Sequence, residues 1–336
     1  MAIIKGQYHS RGLEVRADLQ GFVDERKILN PSITYNAERL LPTIVTRDKA
    51  GTIPLKDAGQ NLQNLDTRRG ADGTYRSISY RVTSDTYTTE GRGVKAGRDL
   101  VEDADLNAIQ DIDKENAVDA VDTLYVGREK RVADILFSTT TFPATTHSVA
   151  AAAVWTAASS ETRTDIDAAH ALIKAKKGVK KSMCSVIVHT DTLSALIKTN
   201  TILLDGVKYF NVGDRPLIRM SEAEIYQYLV DFWKVKELIV VDGIYNTLSE
   251  NQVPTFGSIW ASTNVLVAYL APKPTGTVWQ AGLGYQPAYP QGIKGQKDYL
   301  LESYDDTDRD KHFVRAKEYR GEKVFNDYGA LITTIK

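Results

Sequence analysis

Few side chains in this chain carry nucleophilic or metal-binding chemistry. Cys184 is the only cysteine, and it lies five residues before His189 in the run Ser182-Met183-Cys184-Ser185-Val186-Ile187-Val188-His189. A thiol and an imidazole so close in sequence invite a nucleophile and its base. The run reads as a buried strand, however, and residues five apart on a strand point to opposite faces. Cys184 is then a small core residue and His189 a capping or strand-end residue. The other histidines, His9, His147, His170 and His312, form no metal-ligand cluster.

Asp306, Asp308 and Asp310 have the 1-3-5 spacing of a calcium loop. Lys311 stands where that loop needs glycine and Lys317 where it needs glutamate, so an acidic turn between two strands fits better. Gly91-Arg92-Gly93-Val94-Lys95-Ala96 matches the loose dinucleotide pattern, but the stretch before it is half polar and the next helix starts several residues later. Gly91, Gly93 and Gly97 therefore read as a flexible hinge. Gly282-Leu283-Gly284 is followed by Pro287 where a helix should open. With no base, orienter and oxyanion donor brought together, the sequence assigns no catalytic, cofactor-binding or metal-ligating residue.

Charge clusters are the remaining candidates. Arg68 and Arg69 sit at a turn-like tip, and Lys176, Lys177, Lys180 and Lys181 surround Gly178. Each cluster is a solvated turn, or pairs with acidic residues across an interface, Glu102, Asp103 and Asp105 being the acidic candidates. For the lysines a contact with the backbone of DNA is a third reading.

The elements that hold these residues have a distinctive order. Residues 1–46 mix charged and apolar residues without sustained periodicity, and Pro31 and Pro42 interrupt them. Such an arm is expected to be ordered by lying on something else. Residues 47–98 read as a long protruding hairpin with Asp72-Gly73 at its turn. In its second limb, over 74–82, Ile78, Tyr80 and Val82 alternate with Ser79 and Arg81. From Asp103 or Asp105, Leu106, Ile109, Ile112, Ala117, Val121, Leu124, Val132 and Ile135 recur at helical spacing. Unbroken to Leu136, that helix is about 50 Å long, with Gly127 expected to weaken or bend it. A helix over 164–177, a strand over 182–189 and a helix over 190–198 follow. A capping box at Ser221 and Glu224 opens a further helix. Strands are expected over 207–212, 238–241 and 260–270. The last part is strand-rich, with Phe313, Arg315, Lys317 and Tyr319 on one side of a strand and Val314, Ala316 and Glu318 on the other.

Composition sets the limits. At 336 residues, 42% hydrophobic and 25% charged, the chain is an ordinary folded protein. A net charge of −1 argues against a dedicated nucleic-acid binder. The lone cysteine suits a reducing compartment. No apolar run has the length of a signal peptide or a membrane span, so a cytoplasmic protein with no membrane contact is expected.

An arm, a hairpin, a long helix, a compact α+β unit and a return to strands resemble, in that order, the tailed-bacteriophage major capsid proteins of the Hong Kong 97 type. The stretch Lys181–Lys198, strand then short helix, resembles the peripheral-domain core that follows the long helix in that family, and Phe325–Ile332 resembles its closing strand. The resemblance implies an α+β capsid fold with an N-terminal arm (1–46), an extended hairpin loop (47–98), a peripheral domain with the spine helix (99–205), an axial domain (206–270) and a return to the peripheral domain (271–336). It implies a non-enzymatic shell protein that forms pentamers and hexamers of itself around double-stranded DNA in a virion, assembled in the host bacterial cytoplasm. The implied partners are a separate scaffolding protein, a portal protein, a decoration protein and packaged DNA held without sequence specificity. On this reading Arg68, Arg69, Glu102, Asp103 and Asp105 make intersubunit contacts, and Gly91, Gly93 and Gly97 absorb changes of shell curvature. The alternatives are a nanocompartment shell of the same fold and a soluble α+β enzyme with a lid hairpin.

Overall fold

A computed structural model describes residues 14–26, 35–56, 82–99, 112–157, 160–199, 222–248, 253–272, 279–290, 299–306 and 311–336. In chain order the elements are β1 (Glu14–Val15), α1 (Ala17–Arg26), α2 (Ala37–Leu40), β2 (Thr43–Val45), β3 (Ala50–Lys56), β4 (Val82–Thr88), β5 (Glu90–Asp99) and α3 (Ile112–Leu136). Next come β6 (Ser148–Ala150), α4 (Thr162–Lys177), β7 (Ser185–His189), α5 (Thr190–Thr199), α6 (Glu222–Trp233), β8 (Glu237–Val241), β9 (Ile244–Asn246), β10 (Phe256–Ser258) and β11 (Val265–Ala268). The chain closes through β12 (Trp279–Gln280), β13 (Gly284–Ala288), β14 (Leu300–Asp306), β15 (Lys311–Arg320), β16 (Lys323–Val324) and β17 (Gly329–Thr333).

The long helix α3 organises one half. Asp113 and Glu115 in its first described turn suit the positive end of the helix dipole; its expected start at Asp103 or Asp105 lies outside the described residues. Ala117, Ala120, Val121 and Leu124 form a buried stripe, and the helix continues through Gly127 without a break. This stripe packs on a seven-stranded sheet centred on β15. There Val314, Ala316, Glu318 and Arg320 are buried, as alternation on a strand with one covered face requires. Leu19 and Val23 of α1, one turn apart, are buried on the same stripe, and Arg16 donates to Asp113 at 2.9 Å. Residues 16–23 of the arm are thus ordered on their own chain, which corrects the expectation for that stretch.

A five-stranded sheet, in the order β6-β17-β11-β7-β8, organises the other half. Every residue of β7 and β11 is buried. On one face Trp155 and Trp233, both fully buried, pack with rings 6.0 Å apart. Asp165 of α4 accepts from the Trp155 indole at 2.8 Å and the Ala152 N–H at 3.1 Å. The helix ends at Gly178, whose φ of 66° is the left-handed conformation glycine adopts freely. On the other face α2 and the second half of α3 pack around Phe137, Phe142 and Trp260.

Two boundaries differ from the sequence reading. The five-stranded sheet takes β7 from before residue 206, β8 and β11 from after it, and β17 from the end of the described chain. A unit confined to 206–270 would cut the parallel ladder that pairs Ser185 through His189 with Glu237 through Val241. Parallel partners need a long crossover, so they come from distant sequence. The hairpin is seen at its base, where β3 and β4 pair from Ala50↔Thr88 to Lys56↔Val82. Its tip lies outside the described residues. The second limb leaves the hairpin at Glu90, not Arg98, and joins the other sheet.

Candidate functional site

The glycines expected to form a hinge lie inside β5, which pairs with β15 without interruption from Glu90↔Arg320 to Asp99↔Lys311. Gly91 lies opposite Tyr319 and Gly97 opposite Phe313. A Cβ at Gly97 would stand 2.1 Å from Phe313 Cδ1, and one at Gly91 2.7 Å from Tyr319 Cε1. These two glycines make room for aromatic rings from the next strand; the local conformation is strand, not hinge. The strand also excludes the dinucleotide loop, since no helix opens on Ala96.

Cys184 is fully buried, and burial pushes its thiol up to about 12. That protonated thiol is a packing group. His189 ends β7: its Nδ1 accepts the Asp191 N–H at 3.1 Å and its Nε2 meets Ser258 Oγ at 3.0 Å. It caps the start of α5. Asp306 ends β14 opposite Lys311, Asp308 and Asp310 lie outside the described residues, and no three acidic, histidine or cysteine side chains among the described residues could hold a metal ion. Arg68, Arg69, Glu102, Asp103 and Asp105 also lie outside the described residues.

Most of the lysine cluster is paired within the chain. Lys176 and Lys177 each approach Asp327 at 3.4 Å, and His147 Nε2 at 3.0 Å. Lys181 pairs with Asp167. Burial pushes Asp327 up, but the His147 hydrogen bond and the two lysine charges outweigh it and hold the carboxyl below its ordinary range. Asp327 borders a cleft of ≈ 240 Å³ between the hairpin base (Leu55, Ser84, Asp85) and the C-terminal turn. Asp85 is paired with Lys323 at 2.8 Å, so both acids of the cleft are engaged in ion pairs.

The arrangement that sequence reasoning missed is a buried charge network between α3, β15 and α2. Arg128 and Glu318, with side chains 3% and 0% exposed, form an ion pair. Arg131 bridges Glu318 at 3.0 Å and Glu322 at 2.9 Å. Arg320 donates to Thr43 Oγ1 at 2.7 Å and Gln286 Oε1 at 3.1 Å, and the Gln286 amide donates to the Ala37 and Leu41 carbonyls, both at 3.0 Å. Glu129 accepts the Asn36 and Ala37 N–H groups, both at 2.9 Å. Burial raises the Glu129 carboxyl, against the pull of those backbone donors and Arg128. The network fixes helix, sheet and arm to one another. Its signal was present in the sequence: Arg128 and Glu129 stand one turn from Leu124 and Val132, on the buried stripe.

The most exposed apolar surface lies elsewhere. Ile244 (51%), Leu248 (39%), Val253 (84%) and Phe256 (65%) are four of the seven large hydrophobic residues exposed among those described. All four lie on or beside the β9–β10 hairpin, whose strands pair Ile244↔Ser258 through Asn246↔Phe256. It is anchored to the body by Tyr245, which packs among the residues around Trp260, with Lys130 of α3 5.6 Å from its ring centre. Exposed apolar side chains on or beside one hairpin make it a candidate contact surface.

No protein-family model and no curated protein matches the sequence. The fold, in contrast, has clear counterparts. A phage-related protein from Bordetella bronchiseptica RB50 matches over 97% of this chain and 99% of its own, with TM-score 0.65 and 19% identity. A protein of Microbacterium phage Oxtober96 matches over 99% and 96%, with TM-score 0.51 and 13% identity. The capsid of cyanophage P-SCSP1u matches over 87% and 84%, with TM-score 0.51 and 11% identity. The chain has the α+β fold of tailed-phage major capsid proteins.

Proposed function

We propose that this chain is the structural tile of a closed shell, the major capsid protein of a tailed phage, arranged as hexamers and pentamers around packaged double-stranded DNA. The observation that carries the reading is the exposed apolar β9–β10 hairpin on a chain of this fold. A monomer gains nothing from four such side chains in water, whereas burying their exposed parts against a neighbouring copy contributes at most about 1.5–3 kcal/mol each. Ring-closing contacts of this kind repeat around a symmetry axis. The tile is a binding module, not an enzyme: Cys184, His189, Asp85 and Asp327 each have a structural role. Its place is the virion, after assembly in the host bacterial cytoplasm with a separate scaffolding protein, a portal protein and, on some shells, a decoration protein. Arg68 and Arg69 at the hairpin tip reach acidic residues of a neighbour, Glu102, Asp103 and Asp105 being the candidates.

Negative-stain electron microscopy of the chain, expressed alone and with candidate scaffolding proteins, tests the proposal. Closed shells, or rings of five and six, are expected. A uniform small oligomer under every condition overturns it. Shells filled with protein cargo and no DNA assign the chain to the nanocompartments of the same fold.

A further inference from the structure

Lys234 is one of only three described residues other than glycine with a left-handed backbone, at φ 54°. It follows the last residue of α6, the position where glycine costs least. Two residues on, Lys236 donates its backbone N–H to the Cys184 carbonyl at 2.8 Å. That contact continues the parallel pairing of β7 with β8 and sets the loop of Lys234 and Lys236 beside the turn that carries Lys180 and Lys181. Two pairs of lysines, more than fifty residues apart in sequence, thus flank the point where two parallel strands begin. Lys180, Lys234 and Lys236 are exposed. Arg163, 5.9 Å from the Phe232 ring centre, adds a cation at the flank.

The carboxylates nearby offset only part of this charge. Asp167 is paired with Lys181. Glu237 is held by Arg39 at 2.7 Å and Ser185 at 3.0 Å, and Asp231 accepts from Gln227 at 3.2 Å. On a chain of net charge −1, the patch is a local concentration of the opposite sign. Lysine ammoniums are hydrated point charges that hold phosphates without demanding a fixed geometry, whereas two-pronged recognition of carboxylates is the habit of arginine. We infer that Lys180, Lys181, Lys234 and Lys236 form a sequence-independent contact for the phosphate backbone of duplex DNA. The inference rests on the shell reading, to which it adds the residues that meet the enclosed duplex.

The test uses the full chain and a short duplex DNA of random sequence, with binding measured by fluorescence anisotropy across a salt series. Each phosphate contact on duplex DNA contributes about 0.9 to the slope of log affinity against log salt. Replacing Lys180, Lys181, Lys234 and Lys236 together by Gln is expected to flatten that slope by about three to four units and weaken binding more than tenfold at low salt. A control variant, with Lys49, Lys95, Lys114 and Lys311 replaced by Gln, is expected to keep the slope, and thermal melts show whether both variants fold. Equal losses in the two variants overturn the inference. So does displacement of the duplex by polyglutamate at equal charge, which would make the patch a site for an acidic protein. Micrographs of both variants read the shell separately: particles that form normally while DNA binding falls support the two readings together, and absent particles with an unchanged salt slope count against both.

Discussion

Glu318 shows how one residue holds several elements. Its side chain has no solvent exposure and meets Arg128, Arg131 and Arg320. Replacing Glu318 by Gln leaves buried guanidinium charge without its carboxylate and is expected to cost about 3–5 kcal/mol, read as a lower denaturant midpoint at unchanged slope. Carboxyls set the pH dependence in two directions. Asp327 and Glu237 are held below their ordinary range, so their contribution is complete above the ordinary carboxylate value and is lost as pH falls through their depressed ones. Glu129 is raised, so its share is complete below the ordinary value and is lost as pH rises through the raised one. Asp327→Asn is expected to flatten the acid limb of the stability profile in thermal melts, because it removes one of the depressed groups. Lys234→Gly relieves a left-handed non-glycine residue and is expected to raise stability by about 1 kcal/mol in the same melts.

The long helix is the element best suited to a direct test. Gly127 lies inside it, and an added Cβ would meet only the Arg131 guanidinium at 3.6 Å. Gly127→Ala is therefore expected to stabilise the chain by about 1 kcal/mol, measured as a higher midpoint of thermal unfolding. The helix, the β7 strand and the alternation along β15 were legible in sequence because each buries one face through a simple period. So was the hairpin's base, from the turn residues between its limbs. The glycines of β5 misled, since glycine marks a hinge and a crowded strand alike, and only the opposed rings of Phe313 and Tyr319 tell the two apart. The arm helix α1 was missed because Leu19 and Val23 are a single pair, too few to set a period. The four-lysine patch was invisible for another reason: strand pairing, not sequence proximity, brings its halves together.

At the scale of the molecule, the proposed shell lets the exposed hairpin separate folding from assembly. Val253 and Phe256 are 84% and 65% exposed, so with Val253→Asp and Phe256→Asp the melting temperature of the free chain is expected to stay within a few degrees of the parent while particles fail to close. Loss of both fold and particles would make the hairpin part of the core instead. The order of strands in the five-stranded sheet carries a further consequence. β17 lies between β6 and β11, so the sheet has a gap until the stretch Gly329–Thr333 is in place. That stretch is made after every other strand of the described residues. On the proposed shell, a tile therefore stays unfinished until that strand has been made, and the order of synthesis delays its contacts with neighbours.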